Sequence, residues 1–216
     1  MALYSYVLRF DTGDAPNPYG GMCTLAICKP AIRRTARVGD WIIGTGSQRL
    51  GIAGYLVYAM RVSETMSLAK YDMYCQEKLP LKIPGHRLHV HKCENVAGDS
   101  LYDYSDPQNP IHRGGIVHTE TWLQERDQRG KNVLLSDHFY YFGSEPRPLP
   151  AHLQSLVKRN QGHYKRTGAT EIAAFEEWLT QKGFKRNKVY ADPQIPIWEQ
   201  VEQFQEVKGS VCGGCS

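Results

Sequence analysis

The sequence predicts an α+β fold: a small curled β-sheet or barrel with flanking short helices and long loops. Three observations lead there. Short strand-like segments come early and are bounded by Gly, Pro or Asp; the clearest amphipathic helix comes late; and Pro/Gly-rich stretches too long for tight turns lie between them.

Met1 to Asp11 alternates polar and apolar residues without a basic leader, so it reads as a first strand and not as a signal peptide. Asp11 to Gly21 holds two Pro and three Gly in eleven residues and reads as a long loop, a class enriched in function. Cys23 to Ile27 is apolar, and Lys29-Pro30 opens a basic stretch with Arg33, Arg34 and Arg37. Val38 to Ser47 reads as a turn, a buried strand and a Gly-rich exit; Gly54 to Val62 is a third strand and Ser67 to Glu77 a short helix. Residues 80–115 are irregular, with a short strand near His89 to Cys93. Val133 to Ser136 and His138 to Gly143 form a strand pair or one bent strand. There Phe139 and Tyr141 point one way and Tyr140 and Phe142 the other, so only one set is expected in the core. Pro146, Pro148 and Pro150 break the chain. From Thr170 to Lys182, Ile172, Phe175 and Leu179 share a helix face flanked by Trp178, and Gly183 ends it. A short amphipathic stretch, Ile195 to Val207, precedes a Gly/Cys tail, so 1–185 reads as one domain and 186–216 as a C-terminal extension.

A chain of 216 residues buries enough surface to fold without disulfides. Mean hydropathy of −0.48 with 41% hydrophobic residues describes a globular protein. Charge is 26 Lys+Arg against 22 Asp+Glu, a formal +4, which permits phosphate contact but lacks the dense stripe of a non-specific DNA binder. No apolar run is long enough for a membrane span. The six Cys are expected as free thiols or ligands in a reducing cytoplasm.

Several blocks resemble the nucleotide modification associated domain 2 family. They are Ala15 to Pro18, Cys23 to Ala26 with Cys28-Lys29-Pro30, Val38 to Ser47, Leu56 to Met60, Gly98 to Tyr102, Leu134 to Ser136 with Tyr141 to Gly143, and Gly162-His163. They run in the family's order over about 1–180. The resemblance implies an association with prokaryotic and phage systems that modify nucleotides in DNA. His86 to Cys93, His112 to His118 and the Cys212-Gly213-Gly214-Cys215 tail depart from its pattern. Residues 38–72 are also similar to PUA and EVE-like barrels, which bind RNA or flipped modified bases.

Gly44-Thr45-Gly46-Ser47 offers backbone amides and hydroxyls to a phosphate, or is a tight turn. His163, among Arg159, Lys165 and Arg166, is a general acid/base candidate, part of a phosphate clamp, or surface. Cys28 beside Lys29 is a candidate nucleophile with His163 as its base, or a buried thiol. Asp99 and Asp11 are the carboxylates proposed to work with His163; Asp14 sits in the same loop as Asp11. His89, His91 and Cys93 alternate onto one strand face and with Cys212 and Cys215 resemble zinc ligands, but their spacing matches no established site and no metal is assigned. Tyr19, Trp41, Tyr58, Tyr102, Tyr140 and Tyr141 are candidate stacking faces. The candidate nucleotide-binding set is Asn17, Lys29, Arg33, Trp41, Thr45, Gly46, Ser47, Tyr102, Ser136, Tyr141, Arg159 and Lys165.

The expectation is a cytoplasmic protein of a DNA-modification or phage-defence system, directed at a nucleotide or DNA and handling a modified base in an aromatic pocket. The alternatives are an enzyme using His163 as general acid/base and a protein-interaction module without catalysis. No cofactor is named, and proteins of such a system are the expected partners.

Overall fold

A computed structural model describes residues 1–85, 92–114 and 117–195. His89 and His91, the stretch beyond 195 and the Cys212/Cys215 tail lie outside the described residues. Cys93 is described: it is buried and opens a short helix, while most of the strand expected near His89 to Cys93 falls on residues outside the described ones.

The chain begins with β1 (Leu3–Leu8), β2 (Cys23–Leu25), α1 (Pro30–Thr35), β3 (Trp41–Gly46), β4 (Tyr55–Arg61), β5 (Glu64–Ser67) and α2 (Leu68–Glu77). After these come α3 (Cys93–Val96), β6 (Tyr102–Asp103), β7 (Ile111–His112), α4 (Thr121–Gln128), β8 (Asn132–Ser136) and β9 (Phe139–Tyr141). Last are β10 (Arg147–Pro148), a 3₁₀ turn at Ala151–Leu156, β11 (His163–Arg166), α5 (Ala169–Gln181) and β12 (Lys188–Val189).

The main sheet has seven strands, ordered β11-β1-β3-β4-β9-β12 with β10 beside β4. β1 runs parallel to β3 and β12 parallel to β9, while the other pairs are antiparallel. A parallel pair needs a long crossover, and the segment carrying β2 and α1 supplies it between β1 and β3. A smaller antiparallel sheet runs β2-β8-β5, and β6 pairs with β7. Among the described residues the main sheet ends at β11 and β12, so the α+β class holds, and of the two forms expected, a curled sheet or a barrel, no closed barrel forms.

Both faces of the main sheet are covered. Leu3, Trp41, Ile43, Tyr140 and Phe142 pack under α5 and the 3₁₀ turn, against Leu153, Ile172, Phe175 and Trp178. Tyr4, Tyr6, Ile42, Tyr58, Phe139 and Tyr141 face the other way, against Ile32 of α1 and Cys23, Leu25 and Leu134 of the small sheet. The alternation at 139–142 is as expected, but both sets are core because the sheet is a middle layer. No outward tyrosine remains there for stacking. β8 and β9 belong to different sheets, and Ser136 Oγ ties the turn between them by donating to the carbonyls of Arg61 at 2.6 Å and His138 at 2.8 Å.

Gly44 and Gly46 lie inside β3 and not in a turn, with the β3–β4 register shifting between Gly44 and Thr45. A Cβ on Gly44 would overlap the Tyr58 ring and the Leu8 side chain, and one on Gly46 would overlap Ile52. Glycine is there for packing. Gly44→Ala is expected to cost about 1–3 kcal/mol, read from the urea midpoint; an unchanged midpoint would contradict the close approach. Among the described residues, no helix is long and apolar enough to cross a membrane.

Candidate active site

β2 runs into α1 through Ala26, Ile27, Cys28 and Lys29, with Pro30 at the first helical turn. Proline suits that position because its fixed φ and missing N–H cost nothing there. The turn is sharp: Cys28 has φ 57° and Lys29 φ 38°, both left-handed. Five non-glycine residues have positive φ among the described residues, and three of them, Cys28, Lys29 and His118, meet here. Strained backbone of this kind persists only where its surroundings hold it, and it gathers at functional sites.

Cys28 Sγ lies 3.5 Å from His118 Nε2. The other ring nitrogen, Nδ1, is hydrogen-bonded to the carboxylate of the buried Asp127 on α4. That carboxylate also accepts the Cys28 backbone N–H at 2.8 Å and the Tyr102 hydroxyl at 3.0 Å. Burial alone would depress the imidazole, but the hydrogen bonds and charges of Asp127 and Cys28 outweigh it and push His118 up to about 10. A thiol, an imidazole and an orienting carboxylate in this order form the constellation of covalent nucleophilic catalysis.

A cation is a weaker fit. The donor atoms of Cys28, His118 and Asp127 lie within 4.8 Å of one another. Both Asp127 oxygens are already committed, one to the Cys28 N–H and one to Tyr102 and His118, so the carboxylate orients the ring in place of ligating.

Cys28 and His118 open onto a cleft of about 600 Å³. Tyr6, Arg9, Phe10, Asp14, Lys29, Trp122 and Arg126 also line it. Trp122, Leu123 and Arg126 reach it from one face of α4, the i, i+4 pair Trp122 and Arg126 stacking at 5.4 Å. Arg126 Nη2 is 3.7 Å from Cys28 Sγ, and its buried Nε has no hydrogen-bond partner. Phe10 and Trp122 are exposed, at 50% and 61%, whereas Tyr19, Trp41, Tyr58, Tyr102, Tyr140 and Tyr141 are all buried. Exposed aromatic faces are therefore found at the cleft, on residues the sequence did not single out.

Of the sequence candidates, Cys28 and Lys29 line the cleft, Tyr102 backs Asp127, and Ser47 and Arg159 line an adjoining hollow. The others are placed elsewhere. His163 stands on β11 opposite Tyr6, its ring 5.9 Å from Tyr4, and burial and the lysines Lys29, Lys158 and Lys165 lower its pKa. His118, not His163, is the imidazole at Cys28. Asp99 accepts from Thr24, the Ala26 N–H and Tyr71, and Asp11 accepts from Tyr141, so neither carboxylate reaches for His163. Asn17 clips its own loop and accepts from Lys82 at 2.8 Å. Trp41 donates to Glu176 across the opposite face of the sheet, and Thr45 to the Tyr6 carbonyl. Arg33 is buried between the carbonyls of Ala26 and Asp127, away from solvent and any phosphate. Lys165 sits over the Tyr4 ring. Gly46 and Ser136 serve the sheets as described above.

Asp14 lines the cleft where Asp11 does not. Thr12 Oγ1 donates to it at 2.8 Å and the Gly98 N–H at 3.2 Å, but burial dominates and pushes the carboxyl from 3.8 up to about 7. The folded state therefore holds this proton more tightly than the unfolded chain, and stability falls as pH rises from about 4 to about 7. Asp14→Asn is expected to flatten that fall, by up to about 4 kcal/mol, in thermal melts from pH 4 to 8. Part of the slope remains with Asp11, raised by burial to about 6, and with Asp99, which burial also raises. Melts that superimpose with the native chain would count against a buried, protonated Asp14.

The profile of the nucleotide modification associated domain 2 family matches residues 1–200. The chain belongs to that family. The match takes in every residue of the Cys28–His118–Asp127 site, and the family's name associates it with nucleotide modification. No curated protein and no solved structure matches the chain.

Proposed function

We propose that this family member is a thiol enzyme acting on an electrophilic carbon of a nucleotide or of a modified base in DNA. The observation that carries the reading is Cys28, held at positive φ with its Sγ 3.5 Å from an imidazole that Asp127 orients. In this reading the proton shared by the pair already rests on His118, whose pKa is raised to about 10, so Sγ attacks the carbon as the anion of a thiolate–imidazolium pair. The imidazolium gives that proton to the leaving group, and water, losing a proton to the imidazole left behind, releases the covalent intermediate. Arg126 faces the charge that develops beside Sγ, and Phe10 and Trp122 offer faces to a base. The family's association with nucleotide modification supports this substrate class.

The test is the nucleoside content of DNA and of the free nucleotide pool, by mass spectrometry, in cells carrying the native gene or Cys28→Ala. A nucleoside that changes with the native gene and not with the variant is expected. Identical profiles from the native gene, the variant and an empty vector would sink the proposal. A cation between the three side chains is the second reading, favoured by their 4.8 Å grouping; zinc that blocks alkylation of Cys28, with chelator restoring it, would select that reading.

A further inference from the structure

We infer that the hollow adjoining the Cys28 cleft is a phosphate site, so that the substrate is a phosphorylated nucleotide unit and not a free base or nucleoside. The inference rests on the thiol-enzyme reading for what happens to the base, but not for what binds the phosphate. The hollow measures about 330 Å³ and shares Val7, Arg9 and Lys29 with the larger cleft, so one ligand can span both. Its far wall is the segment from Arg159 to Gly162, and Ser47 lines it from the end of β3.

Three features point to an anion. Arg9, Lys29 and Arg159 converge on the hollow, and among the described residues no carboxylate pairs with any of them. Cations gathered without counter-charges repel one another unless an anion joins them. Ser47 is 7% exposed, and its buried hydroxyl has no hydrogen-bond partner, a cost that a ligand oxygen would remove. Lys29 Nζ stands 4.3 Å over the Tyr6 ring, which fixes it between the two spaces; burial, opposed by Cys28 and reinforced by the charges of Arg126 and Arg9, disfavours its charged form, and a bound anion would favour it. The cleft with Cys28 thus takes the base and the hollow with Arg159 takes the phosphate.

The test is calorimetric titration of Cys28→Ser protein, in which binding is read without reaction at the thiol. The probes are deoxynucleoside 5′-monophosphates, the matching nucleosides, and inorganic phosphate as competitor. Monophosphates are expected to bind at least about tenfold more tightly than nucleosides, the difference shrinking with added salt. Arg159→Ala should abolish the difference and Ser47→Ala reduce it, while Lys182→Ala, the same charge change on the end of α5, leaves it intact. A single-stranded tetranucleotide without terminal phosphates separates the sources: its competition assigns the phosphate to a DNA backbone, and its failure assigns it to a free nucleotide. Equal binding of nucleosides and monophosphates, or an unchanged preference in Arg159→Ala, overturns the inference. A preserved preference in a protein whose Cys28 does no chemistry would leave the phosphate site standing and remove the enzyme reading alone.

Discussion

Iodoacetamide at neutral pH is expected to label Cys28 first among the cysteines of the described fold, and His118→Ala to slow that labelling at least about tenfold. Cys23 and Cys75 are buried, and burial pushes both thiols up to about 12, which keeps them protonated and shielded. Cys28 is half-buried at the cleft, with an imidazole and a guanidinium at its sulfur. Because His118 holds its proton up to about pH 10, the His118-dependent rate should break there and not near the ordinary histidine value of 6.5. Asp127→Asn keeps the shape of the side chain but removes the charge that orients and protonates the ring, so it should lower labelling nearly as far as His118→Ala. On turnover of a native substrate both losses should reach roughly 10²-fold or more. Peptide mapping that finds Cys28 no faster than Cys23, or a rate untouched by His118→Ala, would remove the catalytic reading.

Arg33→Ala is expected to be among the most destabilising single substitutions in the protein, on the order of 3–5 kcal/mol, read from urea unfolding. The guanidinium is fully buried and donates to the carbonyls of Ala26 and Asp127, joining the Cys28 turn to the end of α4. Gly130 leaves the space for it, since a Cβ there would overlap the guanidinium. Truncation strands two buried carbonyls, opens a cavity and removes the cation that offsets Asp127. Arg33→Lys should recover only part of the loss, because one ammonium cannot reproduce the planar fork. A loss below about 1 kcal/mol would show the clamp to be dispensable.

Particular residues show how far the sequence could be read. The helix at Thr170–Lys182 was legible because Ile172, Phe175 and Leu179 repeat at helical spacing, and α5 buries all three. The alternation of 139–142 was legible too, but not that both sets are buried, since covering the second face requires α5 to pack from thirty residues downstream. Cys28 could be suspected from Lys29-Pro30 behind a short apolar run. Its partners could not: His118 lies 90 residues away and Asp127 99, and no local pattern links them to the thiol. His163 drew attention because its charged neighbours are adjacent in sequence, a signal that also marks ordinary surface.

The sequence by itself determined the class of fold, the strands and helix whose periodicity is local, the family, and a thiol worth attention. Those properties are written in spacing over a few residues or in an ordered set of short strings. Only the tertiary structure decided which imidazole meets the thiol, which aromatics stay exposed, and that Arg33 is a clamp and not a phosphate ligand. Each of those depends on contacts across many tens of residues, brought together by the crossover from β1 to β3 and by the docking of α4 on α1. Burial then settles the chemistry: it raises Asp14, shields Cys23, and leaves Cys28 and His118 together at an open cleft.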